Sequence, residues 1–226
     1  MKAVLISVHA KWCALMMNGK KTVEVRKGTA LYKAIQKLID EYGYADIYVY
    51  CTKGKPYLGK KEIGRNFYNE PIYTYDLDYG ETFKGSGNKK FYSSVGVYSI
   101  NGKVIFKFRC YKVEEIKLPY TKFGTNEWVG CENERKWQTP TMNEDKLLDL
   151  SCLQELELYG YLKGKTSTAI HISDLEIFDK PKELSEFGKR EKIIECYNAE
   201  TNYHTVKYRK CKLTKTPQSW CYIEVI

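Results

Sequence analysis

A short stretch near the start of the chain changes its hydrophobic period within a few residues, and this change constrains the fold more than any other feature. Residues 12–17 place apolar side chains at the i, i+3, i+4 spacing of an amphipathic helix, which Asn18-Gly19 ends. Residues 22–26 instead alternate Val23 and Val25 with polar side chains, as in a strand with one buried face. We therefore predict a helix followed at once by a strand.

The polar side chains of this junction form a compact set. Lys21 precedes the strand, and Thr22, Glu24 and Arg26 share one face of it, with two charges of opposite sign. One interpretation is a solvated strand face with a cross-strand ion pair. The other is a functional site on a rigid element.

Length and hydrophobicity predict a chain that folds in water. Its 226 residues fit one large domain, or one domain with insertions, and the 43% of hydrophobic residues suffice for a core. The chain contains no run of 18 apolar residues, so we expect no transmembrane helix and no membrane partner. The apolar stretch at the N-terminus is too short for a signal peptide and predicts a first strand. We expect a cytoplasmic protein.

Charge and aromatic content point to a polyanionic partner. The formal net charge is +9, and the chain has 20 tyrosines. Lysine together with tyrosine is typical of surfaces that contact phosphates and stack bases. The same composition also suits a lysine-rich soluble protein whose tyrosines are strand formers.

The eight cysteines are scattered without a Cys-x-x-Cys pair, which favours free thiols over disulfides in a chain with no secretory signal. Cys196, His204, Cys211 and Cys221 could gather around zinc, but their spacing matches no finger or ribbon pattern. We predict no metal and no cofactor.

Periodicity and turn signals predict mostly strands, with three short helices at their ends. After the first junction they predict a helix from a Thr29 cap to Gly43, and a helix from a Ser151 cap to Tyr159 stopped by Gly160. They predict a hairpin of strands 94–100 and 103–116 around Asn101-Gly102. The other predicted strands cover 45–52, 169–178 and 204–213, and a terminal strand reaches Val225. Polar insertions at approximately 53–92, 119–150 and 188–215 interrupt a single domain over 1–226. A closed or partly open barrel with helical decoration packs such a pattern.

The run ISVHAKWCALMMNGKKTVEVRK, residues 6–27, resembles the opening of an ASCH (activating-signal-cointegrator homology) domain of the PUA-like group. Such domains begin with a short strand, a helix ending in Gly-Lys and a Lys-Thr-x-Glu-x-Arg strand. Other segments resemble the longer ASCH proteins of phages and prophages of Gram-positive bacteria, namely YVYCTKGKP, NGKVIFKFRCYKVEEI, HISDLEIFDKPKELSEF and the terminal PQSWCYIEV. The region 188–211 departs from them, because those relatives often carry a denser cysteine cluster there. The resemblance implies an α+β fold, mainly β: a PUA-like ASCH β-barrel with short helices and long loop insertions. It also suggests a phage-encoded protein in a bacterial host.

The resemblance also implies binding of nucleic acid, RNA rather than DNA, or of a nucleotide, in a groove lined by the strand from Lys21 to Arg26. Lys21 and Arg26 would contact phosphate, Thr22 would offer a hydroxyl and Tyr50 would stack on a base. The full expected ligand-binding set is Lys11, Lys21, Thr22, Glu24, Arg26, Lys27 and Tyr50. Contacts to the nucleic-acid backbone are expected from Lys53, Lys55, Lys60, Lys61 and Arg65.

Two alternatives stay open. Some small ASCH relatives hydrolyse an acylated cytidine with a Lys, a Thr nucleophile and a Glu, which would make Lys21, Thr22 and Glu24 catalytic. Here Glu24 stands where those relatives keep the Thr, so Glu24 would act as general base on water, with Lys21 stabilising an oxyanion. A ribonuclease activity would draw on His9 or His171. The second alternative is a phage regulatory module that binds a host protein through residues 53–92.

Overall fold

The computed structural model describes residues 2–78, 100–117, 142–198 and 203–225, and within them the chain is mainly β with four α-helices. The helices are α1 (Ala10–Met17), α2 (Ala30–Tyr42), α3 (Glu144–Ser151) and α4 (Glu155–Leu162). The strands are β1 (Lys2–Val8), β2 (Val23–Lys27), β3 (Ala45–Cys51), β4 (Tyr57–Arg65), β5 (Pro71–Asp78), β6 (Val104–Cys110), β7 (Val113–Ile116), β8 (Ser167–His171), β9 (Ser173–Lys182), β10 (Phe187–Asn198), β11 (Tyr203–Lys212) and β12 (Trp220–Val225).

The strands form three sheets. The largest has the order β11-β10-β12-β1-β3-β6-β9, in which β1 and β3 are parallel. A smaller antiparallel sheet has the order β2-β8-β7, and β4 pairs with β5 in a separate hairpin. Within the described ranges none of these sheets closes into a barrel. The fold class is therefore α+β, as predicted, and the barrel remains a proposal.

The small sheet is buried on both faces, which is what places the polar junction in the interior. On one face Val23, Val25 and Ala169 pack against α3 and α4. On the other face Ile170 belongs to the main core, which lies between the large sheet, α1 and α2. Because side chains alternate along a strand, the side chains of β2 that do not pack against α3 and α4 point toward the large sheet.

The predicted first helix, second helix and first junction are confirmed. Gly19 follows the Asn18 cap of α1 and has φ +70°, and Gly43 at the end of α2 has φ +80°. Both helices are therefore followed by the left-handed conformation that glycine adopts at low cost. The predicted strands over 45–52, 204–213 and the chain end are also present as β3, β11 and β12.

The helix predicted from Ser151 to Tyr159 is wrong. Ser151 ends α3, and Gly160, predicted as a stop, lies inside α4. The true caps are Asn143, whose side chain accepts a hydrogen bond from the backbone N–H of Lys146, and a Gln154–Glu157 capping box.

Two predicted strands are interrupted where the chain changes sheets. The strand over 103–116 breaks at Tyr111 into β6 of the large sheet and β7 of the small sheet, and the strand over 169–178 breaks at Ile172 into β8 and β9. In both runs the apolar alternation changes phase at the break, between Cys110 and Val113 in the first run and between Ile172 and Leu175 in the second. The first strand of the predicted hairpin at Asn101-Gly102 lies outside the described residues, except Ile100.

The predicted insertions contain more regular structure than expected. Residues 57–78 form the β4–β5 hairpin, and residues 187–212 include the β10–β11 hairpin, which extends the large sheet. The described end of the 119–150 insertion forms most of α3, while 79–99 and 118–141 lie outside the described residues. In the described part of the chain no helix combines the length and the apolar character needed to cross a membrane.

Candidate functional site

Three charged side chains of the predicted junction form a buried cluster. The Nζ atom of Lys21 lies 3.3 Å from Glu24 Oε2, and Arg26 Nε lies 2.9 Å from Glu24 Oε1. The exposed fraction of the side chain is 2% for Lys21, 11% for Arg26 and 7% for Glu24. The interpretation as a solvated strand face is therefore wrong, because this face points toward the large sheet. We call Lys21, Glu24 and Arg26 the ion cluster.

Backbone carbonyls complete the contacts of the two cations. Lys21 Nζ donates to the carbonyl of Ser151 at the end of α3 (2.6 Å), and Arg26 donates through a terminal nitrogen to the carbonyl of Ser7 in β1 (2.7 Å). Arg26 Nε is within ion-pair distance of Glu24, although its N–H is not aligned for a hydrogen bond. The ion cluster thus ties β2 to α3 and to the large sheet.

Burial changes the pKa of Lys21. Removal from water lowers the pKa of the Lys21 ammonium from its ordinary value of 10.5, and the negative charge of Glu24 opposes this shift. The hydroxyl oxygen of Thr22, the next residue in the sequence, is buried and has no hydrogen-bond partner among the described residues. Of the three predicted catalytic residues, Lys21 and Glu24 are in direct contact.

The turn after α1 fixes this arrangement locally. The backbone N–H groups of Lys20 and Lys21 both donate to the carbonyl of Leu15, and the N–H of Thr22 donates to the carbonyl of Leu150. Cys152 then donates through its thiol to the carbonyl of Lys20 (3.2 Å). The helix-to-strand junction is in this way fastened to the end of α3.

A cleft of about 250 Å³ opens at the start of α1. It is lined by His9, Ala10, Lys11, Trp12, Thr52, Gly54, Lys55, Pro56 and Glu157. We call it the α1 cleft. It joins the end of β1, the loop after β3 and the first turn of α4, three segments that are far apart in the sequence.

Polar contacts hold the walls of the α1 cleft in place. His9 Nδ1 lies 3.2 Å from Thr52 Oγ1, and Lys11 Nζ forms an ion pair with Glu157 at 3.0 Å. The Lys11 ammonium also lies 4.4 Å from the centre of the Trp12 ring. The backbone N–H of Gln154 and the charge of Lys11 lower the pKa of Glu157, so this carboxylate is ionised at neutral pH.

Trp12 connects the α1 cleft with the ion cluster. Its ring lines the cleft and lies 5.0 Å from Lys21 Nζ, within cation–π distance. None of the three members of the ion cluster is among the residues that line the cleft. The polar motif therefore supports the wall of the cleft from behind.

The other predicted ligand-binding residues separate into two groups. Lys11 lines the α1 cleft, together with Lys55 of the predicted backbone-contact set. Lys27 is exposed, but its Nζ lies 5.0 Å from the ring of Tyr161 in α4, on the opposite face of β2 from the ion cluster. The stacking role predicted for Tyr50 is wrong for this conformation, because its ring is 2% exposed and packs in the core on the other side of the large sheet.

The predicted backbone-contact residues surround the β4–β5 hairpin. Lys53 is exposed beside Gly102, and Lys61 is exposed on β4. Lys60 Nζ lies 3.7 Å from the Tyr73 ring, and Arg65 forms an exposed ion pair with Glu62 at 3.3 Å. These cations are therefore on the surface, as phosphate contacts require.

Reasoning from the sequence missed Trp12, Thr52 and Glu157. Trp12 was assigned to the apolar stripe of α1, and it does pack partly against the main core while its ring also lines the cleft. Of the two histidines considered for ribonuclease chemistry, His9 lines the cleft, whereas His171 Nε2 lies 2.7 Å from the buried carboxylate of Glu114.

Of the four residues considered for zinc, the side chains of Cys196 and His204 lie outside the described set, and Cys211 and Cys221 are thiols rather than disulfide cysteines. Elsewhere in the described ranges no group of three or more His, Cys, Asp or Glu residues is arranged to hold a metal.

Comparison of the chain with models of protein families, with curated proteins and with solved structures finds no match.

Proposed function

We propose that the α1 cleft binds RNA or a nucleotide, a ligand in which an aromatic base is joined to a phosphate. The observation that carries the proposal is the Trp12 ring in the cleft wall, with the Lys11 ammonium 4.4 Å from its centre. Aromatic faces stack bases, and lysine contacts phosphate, so this pair offers both parts of the ligand a partner. Lys55 and His9 add a second cation and a hydrogen-bonding ring to the same cleft.

The size of the cleft suits a single base. Its volume of about 250 Å³ is below the roughly 300–1,000 Å³ of pockets that enclose drug-sized ligands. Proteins usually recognise single-stranded RNA by stacking an unpaired base, turned out of the RNA strand, on an aromatic ring. The net charge of +9 favours the same class of partner.

The proposal includes membership of the ASCH group of PUA-like proteins. The order β1-α1-β2 is the one that the resemblance implies, whereas the cleft is lined by the start of α1 and not by the strand from Lys21 to Arg26. In this proposal the ion cluster acts as a positioning device, since it holds β2 against α3 and keeps Trp12 in the cleft wall.

The test is the affinity of the protein for a fluorescent oligouridine of about ten nucleotides, measured by anisotropy at several salt concentrations. The Lys11→Ala, Lys55→Ala double variant should bind about tenfold more weakly, and its salt slope should fall by about 1.4, or about 0.7 for each lost phosphate contact on a single strand. The matched control is Lys33→Ala, Lys180→Ala, which removes the same charge from exposed positions on α2 and β9.

Equal losses in the two double variants would mean that only overall charge matters, and the site assignment would be wrong. If the protein bound neither oligouridine, nor the matching DNA, nor uridine monophosphate, the proposed function itself would be wrong. A preference for DNA would change the ligand and keep the cleft.

A hydrolase is the second candidate, and the buried Lys21 favours it. A lowered pKa lets the Lys21 ammonium lose its proton more readily, and the resulting amine can accept a proton from a hydroxyl. The hydroxyl of Thr22, the next residue in the sequence, has no partner among the described residues. Because Lys21 is 2% exposed, a substrate reaches it only if groups that cover it, such as Trp12, move. Product analysis of the same incubations, extended to acylated cytidine, tests this candidate, and Lys21→Met should abolish any turnover.

A further inference from the structure

The β4–β5 hairpin is anchored firmly at its base and exposed over the rest of its length. Leu58, Tyr75 and Leu77 pack in the main core, and the Asn18 side chain both donates to and accepts from the backbone of Tyr75 (2.9 and 3.2 Å). Every residue from 61 to 73 is exposed. A stable base and a solvated arm are expected of an element that reaches toward a partner.

The tip of the hairpin presents two aromatic rings on a hydrogen-bonded turn. Asn66 Oδ1 accepts from the backbone N–H groups of Tyr68 and Glu70, both at 2.9 Å, and Asn66 Nδ2 donates to the Glu70 carboxylate at 2.8 Å. Phe67 is 97% exposed and Tyr68 is 79% exposed, with ring centres 5.6 Å apart. Because the turn is already ordered, contacts to these rings require little further loss of backbone entropy.

Charge is distributed asymmetrically along the hairpin. The loop and strand over residues 53–65 carry five cations and one acid, whereas residues 66–78 carry three acids and no lysine or arginine. The five cations are Lys53, Lys55, Lys60, Lys61 and Arg65. Since Lys55 lines the α1 cleft, the basic side begins at the cleft and continues to the tip. The nine residues of β4 cover about 30 Å.

We propose that single-stranded nucleic acid runs from the α1 cleft along the β4 side of the hairpin and stacks bases on Phe67 and Tyr68. The ligand is then a strand of several nucleotides, and a free nucleotide occupies only part of the site. Charge complementarity selects this partner, because the lysines of β4 and the exposed rings of the tip lie on one element and match the phosphates and bases of one strand. The inference rests on the function proposed for the α1 cleft.

The experiment compares a trinucleotide with an oligouridine of about twelve nucleotides, long enough to span both contacts. The unmodified protein should bind the longer strand at least about tenfold more tightly. Phe67→Ala with Tyr68→Ala should weaken the longer strand by about 10- to 100-fold, the expected range for lost base stacking, and leave the trinucleotide unchanged. The double variant Lys60→Ala, Lys61→Ala should reduce the salt dependence of the affinity for the longer strand and leave that for the trinucleotide unchanged.

The matched control is Tyr42→Ala, which removes a ring that is 41% exposed on α2. It should change neither affinity. Thermal melting of each variant checks that the fold is intact, which the exposure of the tip rings leads us to expect.

Several outcomes overturn the inference. If the short and long strands bound with equal affinity, and the tip variant (Phe67→Ala with Tyr68→Ala) did not change it, the hairpin would not take part in binding. The function proposed for the cleft would still hold. A change from dimer to monomer in the tip variant, with unchanged strand affinity, would assign the rings to self-association. If the unmodified protein bound neither nucleotides nor strands, the function proposed for the cleft would instead be wrong.

Discussion

The carboxylate of Glu24 lies between two cations in the interior of the protein, and this explains most of the local architecture. Three charges that are almost excluded from water are tolerated only when each has partners, here one another and the carbonyls of Ser7 and Ser151. The sequence identifies these residue types and their shared strand face. It does not reveal their burial, because that depends on which sheet covers the face.

We predict that Glu24→Gln lowers the free energy of unfolding by about 3–5 kcal/mol, because it leaves Lys21 and Arg26 buried without an anionic partner. The measurement is the midpoint of urea unfolding. The matched control is Glu157→Gln, which breaks the exposed pair with Lys11 and should cost less than about 1 kcal/mol. Similar losses in the two variants would show that the ion cluster does not act as a buried unit.

Local sequence spacing predicts only the core contacts of Trp12. A tryptophan at helical spacing with Leu15 and Met16 predicts burial, and Trp12 does pack partly against the core. Its second role depends on the loop after β3 and on α4, which complete the cleft around its ring. No spacing rule connects Trp12 with Thr52 or Glu157.

At the scale of elements, glycine conformation separates a correct helix boundary from an incorrect one. Gly43 has φ +80° and ends α2, as the sequence predicts, whereas Gly160 lies within α4 although it was predicted to end a helix. A glycine is only a potential stop. The capping box of Gln154 and Glu157 begins α4, and the helix ends at its Lys163 cap, which has φ +49° in the left-handed region.

We predict opposite effects for alanine at these two glycines. Gly43→Ala should destabilise the protein by about 1–2 kcal/mol, because a side chain is strained at this positive φ although the surrounding space is open. Gly160→Ala should stabilise it by about 0.5–1 kcal/mol through helix propensity, since a methyl group there meets no atom within 4 Å. Urea unfolding midpoints measure both, and a stabilising Gly43→Ala would contradict the assigned cap.

At the scale of the whole molecule, two sheets share one core and exclude water from several ionisable groups. Burial raises the pKa of the Cys110 thiol from 9.0 to about 12, and it also raises the pKa of Cys13 well above its ordinary value. A folded-state pKa above the unfolded-state value means that the folded protein keeps a proton that the unfolded chain releases. The free energy of unfolding therefore falls as the pH rises above about 9.

We predict that the stability of the unmodified protein declines between pH 9 and about 12 more steeply than that of Cys110→Ala. The difference in slope should approach about 1.4 kcal/mol per pH unit, which corresponds to one proton. The measurement is urea unfolding at several pH values in this window. Ile105→Val is the control, because it removes a buried methylene without removing a titrating group and should keep the original slope. Parallel slopes for the unmodified protein and Cys110→Ala would contradict the buried-thiol assignment.

The sequence by itself determined the fold class, the first helix-to-strand junction and the residues of the ion cluster. Local periodicity, glycine stops and strand alternation act over a few residues, so they can be read without a structure. The tertiary structure decided where β6 ends and β7 begins, whether Glu24 and Arg26 meet water, and which distant segments surround Trp12. Those outcomes depend on how sheets and helices cover one another, which involves contacts between residues far apart in the chain. Burial, rather than residue type, converted the polar motif from a predicted ligand contact into the support of a cleft.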